Sequence, residues 1–290
     1  MKVVILAGGF GTRLGAEGQL TPKPLVPIGS RPILWHIMKT YAHFGFTDFV
    51  LCLGYKGEMI KRYFREYELL HNDFTIELGS GRTITHARHG EDNWRVTLVD
   101  TGLRTLKGAR LKRVEDYLDG DSFLLTYGDG VADIDLPALL SFHRAQGKIG
   151  TLTAVRPPSR FGELVVRTNR VQLFTEKPQA SAGLINGGFA VFDRQFLDYL
   201  SREETCDLER GALERLAAEG QLAAYEHPGQ WACLDTLRDI EYLNALWDQG
   251  KAFWKLWEEE ADTEHRTVGG PPAPVARPVG SGVSVRTANL

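Results

Sequence analysis

Hydrophobic positions along the chain fall into short aliphatic runs separated by segments with helical spacing. Residues 2–6 form an unbroken β-branched and aliphatic run, which predicts a strand buried on both faces. The same pattern predicts strands over 48–53, 122–127, 150–155 and 222–226. Pro32 opens a helix to about residue 44, with Ile33, Ile37 and Tyr41 on one face. Residues 56–69, 111–118, 136–146, 195–201, 208–219 and 236–257 also read as helices, the last with a break near Gly250. Residues 74–78 and 95–99 are strand-like, on either side of a polar, glycine-containing excursion over 79–93. Residues 162–168 and 171–176, joined at Asn169 and Arg170, predict a hairpin, and 187–192 a further strand. This alternation predicts an α/β fold, a doubly wound, mostly parallel mixed sheet with an inserted antiparallel part. No internal repeat is visible.

Composition narrows the picture. A chain of 290 residues accommodates one large α/β domain or two small ones. Residues 1–262 read as the folded domain. From residue 263 the sequence turns rich in proline and glycine, which predicts a flexible tail over 263–290. A formal net charge of -3 leaves no electrostatic footprint for nucleic acid or an anionic membrane. Cys52, Cys206 and Cys233 are widely spaced and match no metal-site spacing; they suit a reducing compartment. The chain opens on a strand and holds no apolar run of membrane-spanning length, so the cytoplasm is expected. His86 and His89 lie three apart in a polar loop with no third ligand in register. Trp247, Phe253, Trp254 and Trp257 read as packing for the last helix, or as an oligomer contact.

The chemistry begins where the first strand stops. Gly8, Gly9 and Gly11 follow it directly, and glycines there let the backbone turn sharply and bring N–H groups near a ligand. Successive bare N–H groups form a concavity that suits phosphate. Arg13 adds a guanidinium fork, and Lys23, between Pro22 and Pro24, a second cation with restricted backbone freedom. A P-loop is excluded, because no Gly-Lys-Ser/Thr triplet follows Gly11. The dinucleotide fingerprint is broken as well, since Leu14 stands where its third glycine belongs. Gly128-Asp129-Gly130 ends another predicted strand. Asp129 there is either a turn residue or a ligand for a hard cation.

Leu6-Ala-Gly-Gly-Phe-Gly-Thr-Arg-Leu14 with Pro22-Lys-Pro24 resembles the signature of the sugar-phosphate nucleotidyltransferases. Pro32-Ile-Leu-Trp-His-Ile-Met38, Val96-Thr-Leu-Val-Asp-Thr-Gly102, Thr126-Tyr-Gly-Asp-Gly-Val-Ala132, Ile185-Asn-Gly-Gly-Phe189 and Leu234-Asp-Thr-Leu-Arg-Asp239 are similar to its glucose-1-phosphate cytidylyltransferase branch. The similarity runs from residue 1 to about residue 257. It implies a Rossmann-like nucleotidyltransferase fold with an antiparallel sugar-binding insertion. It also implies transfer of a nucleotidyl group from CTP to α-D-glucose 1-phosphate, giving CDP-glucose and pyrophosphate by a Mg²⁺-assisted single displacement in a homo-oligomer. UTP, dTTP and another sugar 1-phosphate stay open as substrates. A non-catalytic nucleotide-sugar-binding regulatory subunit is the alternative class.

The resemblance further assigns roles by residue. Arg13, Lys23, Asp129 and Lys177 are the catalytic group. Leu6, Ala7, Gly8, Gly9, Gly11, Thr12, Arg13, Lys23, Thr101, Thr105, Arg110 and Gly128 are implied in nucleotide binding. Tyr127, Glu176, Lys177, Asn186 and Gly187 are implied on the sugar phosphate. Asp129 and Asp235 are implied as Mg²⁺ ligands. Each has a plainer reading beside it. Asp235 suits the N-cap of the last helix, although Thr236 suits it too. Lys177 fits an exposed turn lysine, Asn186 a plain turn, and Arg110 a solvated helix start.

Overall fold

A computed structural model describes residues 1–14, 20–86, 90–91, 93–157, 163–168, 170–175 and 183–258, with backbone alone at Arg13, 163–167 and 173–175. The predicted tail over 263–290 lies outside the described residues. The chain separates into a larger unit, Met1–Arg65 with Asn93–Glu258, and a smaller one that contains Glu66–Asp92.

The larger unit is built on an eight-stranded sheet. Its strands are β1 (Val3–Ala7), β2 (Asp48–Leu53), β3 (Arg95–Asp100) and β4 (Ser122–Tyr127). After the short β5 (Gly130–Ala132), which lies outside that sheet, come β6 (Gly150–Val155), β7 (Ile185–Asn186), β8 (Ala190–Asp193) and β9 (Leu222–Glu226). A last strand, β10 (Trp231–Cys233), pairs with β5 alone. β1 lies between β2 and β4, parallel to both, and β3 extends the parallel set beyond β2. β8 joins antiparallel to β4, and β6 carries the sheet on, antiparallel to β8 and β7 and parallel to β9. The mixed but mainly parallel sheet matches the expected fold class.

Continuous apolar runs form this sheet because its centre has no solvent face. Val3, Val4 and Ile5 are fully buried. Each such side chain contributes about 1.5–3 kcal/mol relative to an exposed one. Helices α1 (Ile33–His43), α2 (Gly57–Arg65), α3 (Lys107–Arg113), α4 (Leu136–Gln146) and α5 (Glu214–Ala218) lie between strands, and α6 (Leu237–Asp248) follows the last of them. Leu111 of α3 shares a core with Val4, Val50, Leu125 and Phe192. α4 begins on Asp135, whose Oδ1 accepts from the Ala138 N–H at 2.9 Å, and stops at Gly147 with φ of +57°. Both ends follow from local chemistry, an N-cap carboxylate and a left-handed glycine.

Several predicted boundaries move. The helix expected over 56–69 divides into α2 and a single turn, Tyr67–Leu70. The strand expected over 187–192 begins only at Ala190, as β8, with β7 ending just before it, because Gly188 and Phe189 between them adopt φ of +81° and +47°. The helix expected over 208–219 bends at Gly211, φ +115°, before α5. The last helix ends at Asp248, so residues 251–257 pack as turns rather than as its continuation. The strand β10 follows β9, which the sequence reading places last. Three residues are too few to show a period.

Within the smaller unit, Phe74–Glu77 pairs antiparallel with Arg82–Thr85. The turn closes through the Gly81 N–H donating to Glu77 O at 2.7 Å, with Gly81 at φ +71°. The second of these strands falls inside what reads as a polar excursion. Its β-branched Thr83-Ile84-Thr85 was the available signal.

Candidate active site

Parallel strands bring their carboxyl ends, and the loops that leave them, to one side of a sheet. The register pairs Leu6 with Cys52 and with Tyr127, so the turns after β1, β2 and β4 emerge together. The Gly128 N–H donates to Leu6 O at 3.1 Å and the Tyr55 N–H to Gly8 O at 3.3 Å, fastening the first turn to the other two. A Cβ on Gly128 would lie 3.2 Å from Leu6 O and 3.3 Å from Pro24 Cγ. Glycine is what allows the Pro22-Lys23-Pro24 segment to approach β1 and β4 this closely.

Lys23 opens a short 3₁₀ turn, Lys23–Leu25. It runs beside the glycine turn, since a Cβ on Gly11 would sit 3.7 Å from Lys23 Cβ. The ammonium donates to Asp129 Oδ2 at 2.6 Å and to Asp235 Oδ1 at 2.5 Å. These partners stand 106 and 212 residues away along the chain. The short β5–β10 ladder joins them. Gly130 faces Cys233, and the Leu234 N–H donates to Asp129 O at 2.8 Å, so the residue before β5 and the residues after β10 stand together.

The competing reading of Asp235 as a helix cap is settled by its neighbour. Thr236 is the N-cap of α6. It forms a capping box with Asp239, whose Oδ2 accepts from the Asp235 N–H at 3.0 Å and the Thr236 N–H at 2.8 Å. The Asp235 carboxylate is therefore not used in capping and turns to Lys23 instead. Burial works against the charge on Lys23, but the nearby carboxylates of Asp129 and Asp235 outweigh it and raise its pKa above 10.5. The ammonium meets both carboxylates at once. It marks a point where two carboxylate oxygens converge on one positive centre, and two carboxylates completed by substrate phosphates are the donor set Mg²⁺ favours. Among the described residues no group of three His, Cys, Asp or Glu side chains gathers in the manner of a closed metal cage.

The other expected nucleotide contacts divide into two groups. Leu6, Ala7, Gly8, Gly9, Gly11 and Gly128 form the loop wall, and Thr12 is exposed beside them. Arg110, Thr101 and Thr105 lie beneath it. Arg110 is buried, with Nη1 donating to Leu53 O at 2.9 Å, Thr101 Oγ1 at 2.8 Å and Gly102 O at 2.7 Å. A Cβ on either Gly8 or Gly54 would come within 2.5 Å of Arg110 Nη1. In this arrangement Arg110 props the turns after β1 and β2 from below. Thr101 Oγ1 donates to Leu53 O at 2.6 Å, and Thr105 Oγ1 accepts from Arg113 at 3.0 Å, so both hydroxyls are engaged internally. The Arg13 side chain, Glu176 and Lys177 lie outside what is described.

Tyr127 and Asn186 meet directly. Asn186 Nδ2 donates to the Tyr127 hydroxyl at 3.2 Å, and its Oδ1 accepts from the Gly188 N–H at 3.0 Å. Gly187 O accepts from the Trp231 indole N–H at 2.8 Å. Two residues absent from the sequence reading, Glu209 and Lys107, complete this cluster. Tyr127 donates to Glu209 Oε1 at 2.8 Å, and Lys107 pairs with the same oxygen. No local pattern marks them, because they enter from α3 and from the bend before α5.

The family described as "Nucleotidyl transferase" matches residues 2–252. A glucose-1-phosphate cytidylyltransferase of Salmonella typhimurium is 51% identical over 259 residues, 89% of this chain and 100% of the relative. A probable glucose-1-phosphate cytidylyltransferase of Bacillus subtilis is 42% identical over 257 residues, again 89% and 100%. Among solved structures, HddC from Yersinia pseudotuberculosis in complex with GMP-PN superposes with a TM-score of 0.61 at 19% identity, covering 85% of this chain and 99% of its own. A putative glucose-1-phosphate thymidylyltransferase from Bacillus anthracis gives 0.59 at 20% identity, with 85% and 94% covered. The two structures share the fold, the sequence relatives align over the whole of their own length, and the chain belongs to the nucleotidyl transferase family.

Proposed function

We propose that the protein transfers the cytidylyl group of CTP to α-D-glucose 1-phosphate, releasing pyrophosphate and forming CDP-glucose. The observation that carries this reading is the convergence of Lys23, Asp129 and Asp235 beside the glycine turn, in a chain 51% identical to a glucose-1-phosphate cytidylyltransferase. UTP, dTTP and a purely regulatory role are not favoured by these relatives.

The nucleophile is a phosphate oxygen of the sugar 1-phosphate, mostly dianionic at neutral pH because its second pKa is about 6. It needs no general base, which fits a centre built from a cation and metal-type carboxylates rather than from an acid–base pair. The N–H groups of the turn through Gly8, Gly9 and Gly11 cradle the triphosphate, with Arg13 on its outer phosphates. Lys23 screens the approach of two anions and, with Lys177, orients the reacting phosphates in line. Asp129 and Asp235 would hold Mg²⁺, which when bound would neutralise charge on the phosphates. Tyr127, Asn186 and Gly187 receive the sugar.

Self-association belongs to this reading, and the exposed Phe74, Ile76 and Leu78 of the small hairpin offer apolar surface for it. Among the described residues no helix is long and apolar enough to cross a membrane. A cytoplasmic setting, where CTP is drawn from the nucleotide pool, accords with free Cys52, Cys206 and Cys233. The test is pyrophosphate release across CTP, UTP, dTTP, ATP and GTP with a panel of sugar 1-phosphates, with and without Mg²⁺. The expected signal is confined to CTP with glucose 1-phosphate and requires the metal. Silence in every well from demonstrably folded protein refutes the reading.

A further inference from the structure

Around Tyr127 lies a polar cluster separate from the cation and carboxylates of the reaction centre. Tyr127 closes β4 immediately before Gly128 and Asp129, so whatever it touches is next to the chemistry. Its hydroxyl donates to Glu209 Oε1 at 2.8 Å and accepts from Asn186 at 3.2 Å. Lys107 pairs with the same Glu209 oxygen and holds its ammonium 5.2 Å from the Tyr127 ring centroid.

Glu209 is fixed from its backbone as well. Asp207 Oδ1 accepts from the Glu209 N–H at 2.8 Å and the Arg210 N–H at 2.9 Å. The start of α3 abuts this segment so closely that a Cβ on Gly108 would lie 2.9 Å from the Asp207 carbonyl. Two residues beyond Glu209, Gly211 turns the chain at φ +115°. Even so, the Glu209 side chain stays 34% exposed, and Tyr127 and Lys107 both engage Oε1 rather than Oε2.

The sign of the charge narrows what that oxygen accepts. A carboxylate repels phosphate, so Oε2 does not belong to the triphosphate or to the phosphate of the acceptor. Lys107 already supplies its cation. What remains is a neutral donor, and beside an aromatic ring and an amide the fitting donor is a sugar hydroxyl. We propose that Glu209 is a specificity-determining residue whose Oε2 accepts a hydrogen bond from a hydroxyl of the sugar 1-phosphate. Lys107 and Tyr127 act as positioning residues that hold it. This rests on the reading of the site as one for a sugar 1-phosphate.

The experiment is steady-state kinetics of the full chain and of Glu209→Ala and Glu209→Gln, with CTP against the 1-phosphates of glucose, galactose and mannose. A hydrogen bond to a charged acceptor is worth about 10–100-fold. KM for glucose 1-phosphate is therefore expected to rise by about that factor in Glu209→Ala and less in Glu209→Gln, which keeps an acceptor. KM for CTP stays within about twofold, and the preference for glucose over its epimers shrinks. An unmoved sugar KM and epimer ratio overturn the proposal. So does a parallel change in both KM values and kcat, which is the mark of a merely structural residue; the melting temperature of each variant supports that distinction. An inactive wild type removes the underlying reading and this proposal with it, whereas an active wild type with unaltered variants removes this proposal alone.

Discussion

Replacing Lys23 by Met tests the reaction centre before any substrate is added. The substitution keeps an unbranched side chain and removes the charge, leaving Asp129 Oδ2 and Asp235 Oδ1 facing the space that the ammonium occupied at 2.6 and 2.5 Å from them. Two carboxylate oxygens that both touch one ammonium stand at most about 5 Å apart, where unit charges repel by at least about 3 kcal/mol at an effective dielectric of about 20. The Asp129 side chain is 32% exposed. Solvent screening therefore trims the cost to about 2 kcal/mol. For a domain of this size that corresponds to a fall in Tm of about 4–8 °C.

The assay is thermal unfolding at neutral pH, first free of divalent ions and then with millimolar Mg²⁺. The variant is expected to melt lower without metal and to recover more on adding Mg²⁺ than the wild type gains, because no ammonium competes for the carboxylates. Turnover stays low with or without the metal, as the cation that orients phosphate is gone. A variant as stable as the wild type, with the same response to Mg²⁺, refutes the claim that these carboxylates share a cation site.

Two further predictions concern the scaffold. His36 is buried, its Nε2–H donates to Ile28 O at 2.8 Å, and burial lowers its pKa from 6.5 to about 4. The unfolded chain thus binds the extra proton first, so stability is full above pH 6.5 and falls as pH drops toward 4, by roughly 3 kcal/mol in all. Urea unfolding at pH 7 and 4.5 should show that loss in the wild type and less of it in His36→Gln; equal losses in both would exclude His36 as the source. Gly29 adopts φ of +61°, and a Cβ there would lie 2.2 Å from the Trp247 indole nitrogen. Gly29→Ala therefore combines backbone strain with overpacking, at about 3 kcal/mol. Gly45→Ala, at φ +84° with nothing within 4 Å, carries the strain alone. Equal melting temperatures for the two variants would mean that Trp247 does not press on the Gly29 turn.

How much of this was legible beforehand follows from the range over which each constraint acts. β1, β2 and β4 announced themselves as largely apolar runs stopped by Gly8, Gly54 and Gly128, because a strand buried on both faces is built mostly of apolar residues and its sharp exit favours a glycine. α4 was legible at both ends, since Asp135 and Gly147 satisfy its terminal backbone groups locally. The β5–β10 ladder was not. Its strands are three residues each, they lie about a hundred positions apart, and neither buries a face large enough to impose a period. That ladder is nevertheless what stands Asp129 next to Asp235, so the sequence alone left each aspartate between a turn or cap role and a ligand role. The family resemblance chose between them by analogy. At Asp235 the fold removes the cap reading, because Thr236 and Asp239 satisfy the helix terminus without it. Glu209 shows the opposite case. It belongs to no motif, and its position depends on Asp207 capping the bend, on Gly108 letting α3 approach, and on Lys107 and Tyr127 reaching one oxygen from two different elements. Residues of that kind are where enzymes sharing one glycine turn and one pair of carboxylates are free to differ, which makes the Tyr127 cluster, rather than the Lys23 centre, the place to look for choice among sugars.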